Sequence, residues 1–321
     1  MILAATSLVY SIGTSLLQLV LLTLGAPVLL GVMDKLRARA EGRRGASVLQ
    51  PLRDIRKLMS KQRLRAHFSS AVLPVAPIVL LVATVVAIAI APLASTQPLL
   101  APSADIYVIV YLLLTGSIAL ALAGLDAGTA FGGMGSSRAM TISALAEPAL
   151  LVAVLALSIQ AGTSNVPTII SRTLANPTML SSPTRLLALV AILIVVIAET
   201  GRIPVDNPST HLELTMIHEA MILEYSGADL GLVSIASAMR LGLLFALVAN
   251  LFVPWGIATD TSIGGLAMGV VWLAVKTSVI GVGVSFMEVH RAKLRLFRVP
   301  ELLAGGFVLS ILAVVTGLVT R

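Results

Sequence analysis

Several uncharged apolar runs in this chain reach about 20 residues, the length a helix needs to cross a hydrocarbon core ~30 Å thick. In lipid, every backbone amide and carbonyl must be satisfied inside the protein, and unbroken apolar runs of this length meet that as helices rather than as the short alternating strands of a barrel. Composition agrees: 57% of the 321 residues are hydrophobic and 12% charged, and mean hydropathy is +1.00, outside the range of soluble domains. The chain is therefore predicted to be an all-α polytopic membrane protein of about eight transmembrane helices, a single domain over residues 1–321. The spans fall near Leu8–Met33, Ala71–Ala91, Ile106–Leu125, Met140–Ile159, Leu186–Ala198, Leu230–Val253, Ile263–Phe286 and Leu302–Val319. The fifth is short by periodicity and should borrow residues from the Thr184 side. Pro74, Pro77 and Pro148 are expected in first turns, where a missing amide hydrogen is tolerated. No charge precedes Asp34, so the N-terminus reads as a retained span rather than a cleaved signal.

Lys and Arg set the orientation. With both termini on the non-cytoplasmic side of the cell inner (plasma) membrane, the cytoplasmic loops are 34–70, 126–139, 199–229 and 287–301, holding 11, 1, 1 and 4 basic residues. Only Arg172, Arg185 and Arg321 lie opposite, while Arg240 and Lys276 fall inside spans. That asymmetry is a positive-inside signal. It explains the net charge of +7 without nucleic acid, because the aromatic residues needed for base stacking are not interleaved with the basic ones.

There is no cysteine. Disulfides, thiolate metal sites, thiolate-held iron–sulfur clusters and a cysteine nucleophile are all excluded. Any redox centre must therefore sit in a partner, and no cofactor is expected on this chain.

The basic loop 34–70 opens with a turn at Gly42–Gly45 and continues as a segment with Val48, Leu49, Leu52, Ile55, Leu58 and Met59 at helical spacing. Arg53, Arg56 and Lys57 fall on the other side, which suits a helix lying in the membrane surface. It can anchor on anionic lipid, or serve as a lid or a docking shelf for a soluble partner.

Six of the fifteen carboxylates crowd between Glu199 and Asp229, namely Glu199, Asp206, Glu213, Glu219, Glu224 and Asp229. Carboxylates set against a membrane are costly unless paired, hydrated or protonated, so the cluster is a candidate site. Arg202, three residues after Glu199, is within reach for a charge pair. Pro204 and Pro208 break the helix around Asp206, and a new helix capped by Ser209 or Thr210 would carry Glu213 and Glu224 on one face. Such a cluster either exchanges protons or is a solvated acidic loop that touches a partner. His211 and His218 share that helix face, but their spacing matches no standard metal motif, so no metal is expected. Lys276, flanked by apolar residues, must be buried in the bundle or snorkel.

These residues carry a resemblance. E-T-G-R-I-P-V-D-N-P at 199–208 and E-Y-S-G at 224–227 resemble the signature of the membrane subunit 1 family of the proton-pumping NADH–quinone oxidoreductase, complex I. G-S-S-R-A at 135–139 with Glu147, L-Q-P-L-R-D-I-R-K-L at 49–58 and R-A-K-L-R-L-F-R at 291–298 are similar to further motifs of that family, with Leu294 in place of a proline. Ser209 stands where complex I has a glutamate, and the stretch before E-Y-S-G is longer. That variant resembles the membrane subunits of group 4 [NiFe] hydrogenases, formate hydrogenlyase subunit 4 and hydrogenase-4 component C.

The resemblance implies a non-catalytic, membrane-anchoring and energy-coupling subunit. It would link electron transfer in a soluble module to proton or sodium translocation. Implied partners are hydrogenase large and small subunits, which would hold the [NiFe] centre and iron–sulfur clusters, together with antiporter-like membrane subunits and membrane lipid. It implies a proton path through Glu147, Glu199, Asp206, Glu213 and Glu224, with Glu219 a local addition. Arg138 and Arg202 would hold these carboxylates, and Arg291, Arg295 and Arg298, with Arg53, Arg56 and Lys57, would face the partner. Loss of one glutamate weakens the case for quinone as substrate. The alternatives are a quinone-chamber subunit of complex I proper and a stand-alone ion transporter. The latter usually shows repeated halves, and none is found here.

Overall fold

The structure, a computed structural model, describes residues 2–64, 69–206 and 216–319, with side chains from Leu8 onward. Glu213, Ser209 and His211 lie outside the described residues. Among the described residues the chain is all α-helix and short 3-10 turns, with no strand.

Among the described residues, seven helices are long and apolar enough to cross a membrane. They are α1 (Ile2–Ala40), α3 (Val72–Ile90), α4 (Ile106–Asp126), α5 (Ala130–Ala161), α9 (Gly227–Phe252), α10 (Ile263–His290) and α11 (Val299–Val319). The expected fifth span is α7 (Pro183–Glu199), whose 17 residues give about 26 Å at 1.5 Å per residue, less than a full crossing. Short helices α2 (Gln50–Met59), α6 (Val166–Ala175) and α8 (His218–Ile222) complete the fold.

Two expectations are corrected. Helix α5 begins ten residues before Met140, because the Thr129 side chain accepts from Gly132 N at 3.3 Å and caps a polar but helical stretch. The expected loop 126–139 is thus largely helix, and it carries Arg138. Pro148 consequently sits deep inside α5, and Pro77 lies inside α3 rather than in its first turn. Each forgoes one bond to the carbonyl four residues back, a loss that surrounding packing absorbs.

Helix α9 is the axis of the bundle. Residues 238–252 are buried without a break, as expected of a helix enclosed on all sides. It packs against α1, α2, α3 and α10, while α5, α7 and α11 form a second group joined to the first by α4.

Four loops meet at one end. Arg37 reaches Glu288 at 3.7 Å, Arg63 reaches Asp229 at 3.3 Å, and Lys293 reaches Asp206 at 2.7 Å. The Asp126 carboxylate accepts from Ser70 N and Leu73 N at 2.9 and 3.0 Å. At the other end, Arg172 and Arg185 donate to the Ala161 and Leu251 carbonyls in the last turns of α5 and α9, where a cation favours the helix dipole. Two of the three basic residues that break the charge asymmetry, Arg172 and Arg185, are therefore helix caps.

The E-Y-S-G segment is a clasp for the stretch that follows α2. Tyr225 Oη donates to the Leu73 carbonyl at 2.9 Å, and Ser226 Oγ accepts from Leu64 N at 2.8 Å and donates to Leu64 O at 3.0 Å. Gly227 adopts φ +53°, and a Cβ there would collide with the Gln62 carbonyl. Helix α2 itself has no fully buried residue. It lies with Leu52, Ile55 and Leu58 half-buried and Arg53, Arg56 and Lys57 exposed.

Candidate functional site

Where the four loops converge, a chamber of about 250 Å³ opens among α4, α5, α7, α8 and α9. Its walls are mostly aliphatic, with Leu30, Leu80, Leu120 and Met221 among them, and its charges are Glu199, Arg202, Asp206, His218, Glu219 and Arg240.

Glu199, the last residue of α7, forms a short ion pair with Arg240 from the middle of α9, and Arg240 also donates to Ser117 on α4. Both charged side chains are largely buried, at 13% and 11% exposure. A gap of about 20 Å³ adjoins the pair and brings in Glu147 of α5 beside Val110, Leu113 and Leu150. Glu147 has no ion pair or hydrogen bond among the described residues. Three ionisable groups from three helices thus face one another next to the chamber, in surroundings where charge is expensive.

The rim is built on Asp206, which is 2% exposed. Lys293 Nζ approaches it at 2.7 Å, His218 N donates to it at 3.1 Å, and His218 Nδ1 lies 3.3 Å away. Burial alone would push this carboxyl up, but the hydrogen bonds and charges of His218 and Lys293 outweigh it and hold it below the ordinary carboxylate range. Gly201, at φ +60°, leaves room for the His218 ring where a Cβ would touch it. A carboxyl with a lowered pKa gives stability that is present above its unfolded value of 3.8 and lost as pH falls through the folded one. Asp206→Asn should therefore cost about 1–3 kcal/mol at neutral pH. The gap from the parent protein should close only in strong acid, as read by unfolding of the purified protein across a pH series.

Arg202 does not pair with Glu199. The chain turns at Gly201, so its guanidinium leaves the α7 face and meets Glu288 of α10 at 3.4 Å, where Arg37 of α1 also arrives. Arg138 donates to the Met216 carbonyl at 3.2 Å, tying the acidic loop's backbone to α5.

The expected helix carrying both Glu213 and Glu224 is also corrected. Helix α8 ends at Ile222, because Tyr225 and Gly227 commit the next residues to the clasp, and Glu224 lies in the turn beyond it. Glu219 lines the chamber, whereas Asp229 pairs with Arg63. Arg291, Arg295 and Arg298 are exposed. The same segment turns inward at Lys293 and at Leu294, whose N donates to Pro204 O at 2.8 Å.

Among the described residues, no group of three or more His, Asp or Glu could hold a metal ion. Sequence reasoning assigned no role to Arg240, Glu288, Lys293 or Ser117. A lone arginine within an apolar run was the available signal for Arg240, since such a charge requires a partner.

These features define a polytopic helical membrane subunit with a charge-lined chamber under its basic loops. The NADH dehydrogenase family model matches residues 13–320, and the chain belongs to that family. It is 34% identical over 305 residues to hydrogenase-4 component C of Escherichia coli (strain K12), with 95% of each chain covered. Formate hydrogenlyase subunit 4 of the same organism is 31% identical over 302 residues, covering 94% of this chain and 97% of that one. An NADH-quinone oxidoreductase subunit of Syntrophotalea carbinolica is 27% identical over 271 residues, 81% of this chain and 77% of the other. The fold matches a chain of the membrane-bound sulfane sulfur reductase, an archaeal respiratory membrane complex, with a TM-score of 0.80 at 20% identity. That match covers 95% of this chain and 98% of the other. The chain is thus a membrane subunit of the hydrogenase and complex I-like type.

Proposed function

We propose that this chain is the membrane-anchoring and energy-coupling subunit of a hydrogenase-like respiratory complex. It couples electron transfer in a soluble [NiFe] module to proton or sodium movement. The observation that carries this reading is the Glu147–Glu199–Arg240 group, which continues the chamber into the bundle. Glu199, Asp206 and Glu219 line the chamber and, with Glu147, Glu213 and Glu224, form the ion path. Arg138, Arg202 and Arg240 hold it. The exposed arginines at 291–298 and on α2 face hydrogenase large and small subunits, and antiporter-like subunits join within the membrane. Having no cysteine, the chain offers no thiolate ligand for an iron–sulfur cluster, which supports placing the clusters in the soluble partner subunits. The charge asymmetry supports both termini lying on the non-cytoplasmic side.

Glu147→Gln is the direct test, because no ion pair among the described residues depends on that carboxylate. Glutamine keeps the shape and hydrogen bonding but cannot carry a proton. In sealed vesicles containing the assembled complex, ions moved per electron transferred should fall severalfold while assembly is kept. An unchanged ratio would return the group to a packing role. The aliphatic walls of the chamber favour a second reading, an apolar quinone as its occupant. Protection of the chamber by an added quinone analogue would support it.

A further inference from the structure

At the end opposite the chamber, α3 stops within the protein rather than at its surface, and α9 ends beside it at Phe252. Residues 91–96 after α3 are irregular yet buried throughout. They pair with the segment after α9, with Ala258 N donating to Ala94 O at 3.1 Å and Thr96 N to Ala258 O at 2.9 Å. Irregular backbone enclosed in this way must have its amides and carbonyls satisfied by the protein around it.

Three side chains collect the carbonyls freed there. Gln18 of α1, fully buried, donates to Ile88 O and Ala91 O at 2.8 and 3.2 Å. Asn250 of α9 donates to Pro92 O and Leu93 O at 3.1 and 2.8 Å. Lys276 of α10 donates to Asn250 Oδ1 at 2.8 Å and to Val253 O, at the C-cap of α9, at 2.9 Å.

Lys276 is 8% exposed and lies about 20 Å along α10 from its start at Ile263. Its hydrogen-bonding partners are neutral, and among the described residues no carboxylate is within ion-pair distance of its ammonium. The other charge at this end of α9 is a second cation, Arg185 of α7, which donates to Leu251 O at 2.8 Å. From α1 the cluster receives Gln18, from 91–96 only carbonyls and hydroxyls, and from α9 Asn250. Asp260 of the following segment is exposed.

Two opposing influences act on the ammonium. The C-terminal ends of α3 and α9 favour its charge, while burial without a counter-ion opposes it. A cation needed only as a helix cap could equally be arginine, as Arg185 already is, but only lysine can release its proton. Converging helix ends around a cation are also the geometry of ion sites in membrane transport proteins.

We propose that Lys276 is a proton-exchange site at the end of the bundle opposite the chamber. One N–H bond of the ammonium breaks, the electron pair stays on Nζ, and the proton passes to a water reaching the Asn250–Val253 cage. The hydronium ion so formed leaves by water. The neutral amine later takes a proton on its free electron pair from another hydronium ion reaching the cage, which restores the ammonium. Helix α9 thus carries Arg240 with Glu199 at its middle and, about 15 Å further along the axis, Asn250 with Lys276 at its C-terminal end. The proposal rests on the coupling function given above.

The test uses the assembled complex in sealed vesicles, comparing parent protein, Lys276→Arg and Asn250→Asp. Arginine keeps the charge and donors, so a structural cap survives it, whereas a proton-exchange site does not. We expect Lys276→Arg to assemble and to move severalfold fewer protons per electron. Asn250→Asp places a carboxylate against the ammonium and holds its proton, so the pH profile of that ratio should move to more alkaline values. A parent-like ratio in Lys276→Arg overturns the proposal. If that variant fails to assemble, the Asn250→Asp profile decides, a displaced profile supporting the site and an unmoved one overturning it. A parent complex that transfers electrons without moving protons would overturn the coupling function itself, and the parent measurement reads that separately.

Discussion

Arg240→Met is expected to be the most damaging single change in the chamber, with a loss of about 3–5 kcal/mol, because it leaves a buried carboxylate without its partner. The Glu199 side chain is 13% exposed and meets the Arg240 guanidinium directly, while Glu147 shares the adjoining gap. Removing the guanidinium would leave two carboxylates facing each other among Val110, Leu113 and Leu150, and the Ser117 hydroxyl would lose its donor. Pairing Arg240→Met with Glu199→Leu should recover much of the loss, since replacing a whole buried ion pair by apolar groups is often close to neutral. Yield and thermal unfolding of the detergent-purified protein would measure both effects. Equal stability of the single variant and the parent protein would mean that water, rather than Arg240, carries the Glu199 charge.

The helical membrane architecture was legible because lipid leaves a backbone so few options, and uncharged runs announce themselves. The ends of helices were not legible on that basis. The start of α5 depends on a threonine cap ahead of a polar stretch, which an apolar count passes over. The pairing of charges was less accessible still. Arg202 is three residues from Glu199 in sequence and sits beside Glu288 in space, because one glycine with positive φ rotates the chain between them. Glu199 instead finds its counter-ion 41 residues away, on α9. Sequence proximity is a poor guide to ion pairs where a helix ends, since the residues after the last turn leave the helical face.

The acidic loop is also divided differently from its appearance as one cluster. Asp229 belongs to the clasp, Asp206 to the rim and Glu199 to the chamber wall, each with its own cation from a different segment: Arg63, Lys293 and Arg240. Paired in this way, the carboxylates fix three loops against one another as well as forming the chamber. The segment 291–298 is part of that lattice. Lys293 and Leu294 grip residues 204–206 while its arginines face outward, so a contact on its outer side bears directly on the rim.

Glu288→Ala is the second large effect expected, again about 3–5 kcal/mol, because it removes the carboxylate that the buried Arg202 guanidinium meets. The Glu288 side chain is 1% exposed and lies 3.4 Å from Arg202 and 3.7 Å from Arg37. It joins three elements that the sequence keeps far apart: the end of α1, the turn after α7 and the end of α10. Arg202 in turn carries the loop backbone, because its carbonyl accepts from Val205 N and Asp206 N at 2.9 and 3.1 Å. Loss of the carboxylate should therefore loosen the Asp206 rim as well as the helix ends. Hydrogen exchange at residues 202–206 should rise in Glu288→Ala, while α11 and the opposite end of α9 stay protected. Glu288→Gln should lie between that variant and the parent, because the amide can still accept from one guanidinium but brings no charge. Exchange confined to the α10 terminus, with residues 202–206 as slow as in the parent protein, would show that the rim is held by Lys293 and His218 alone.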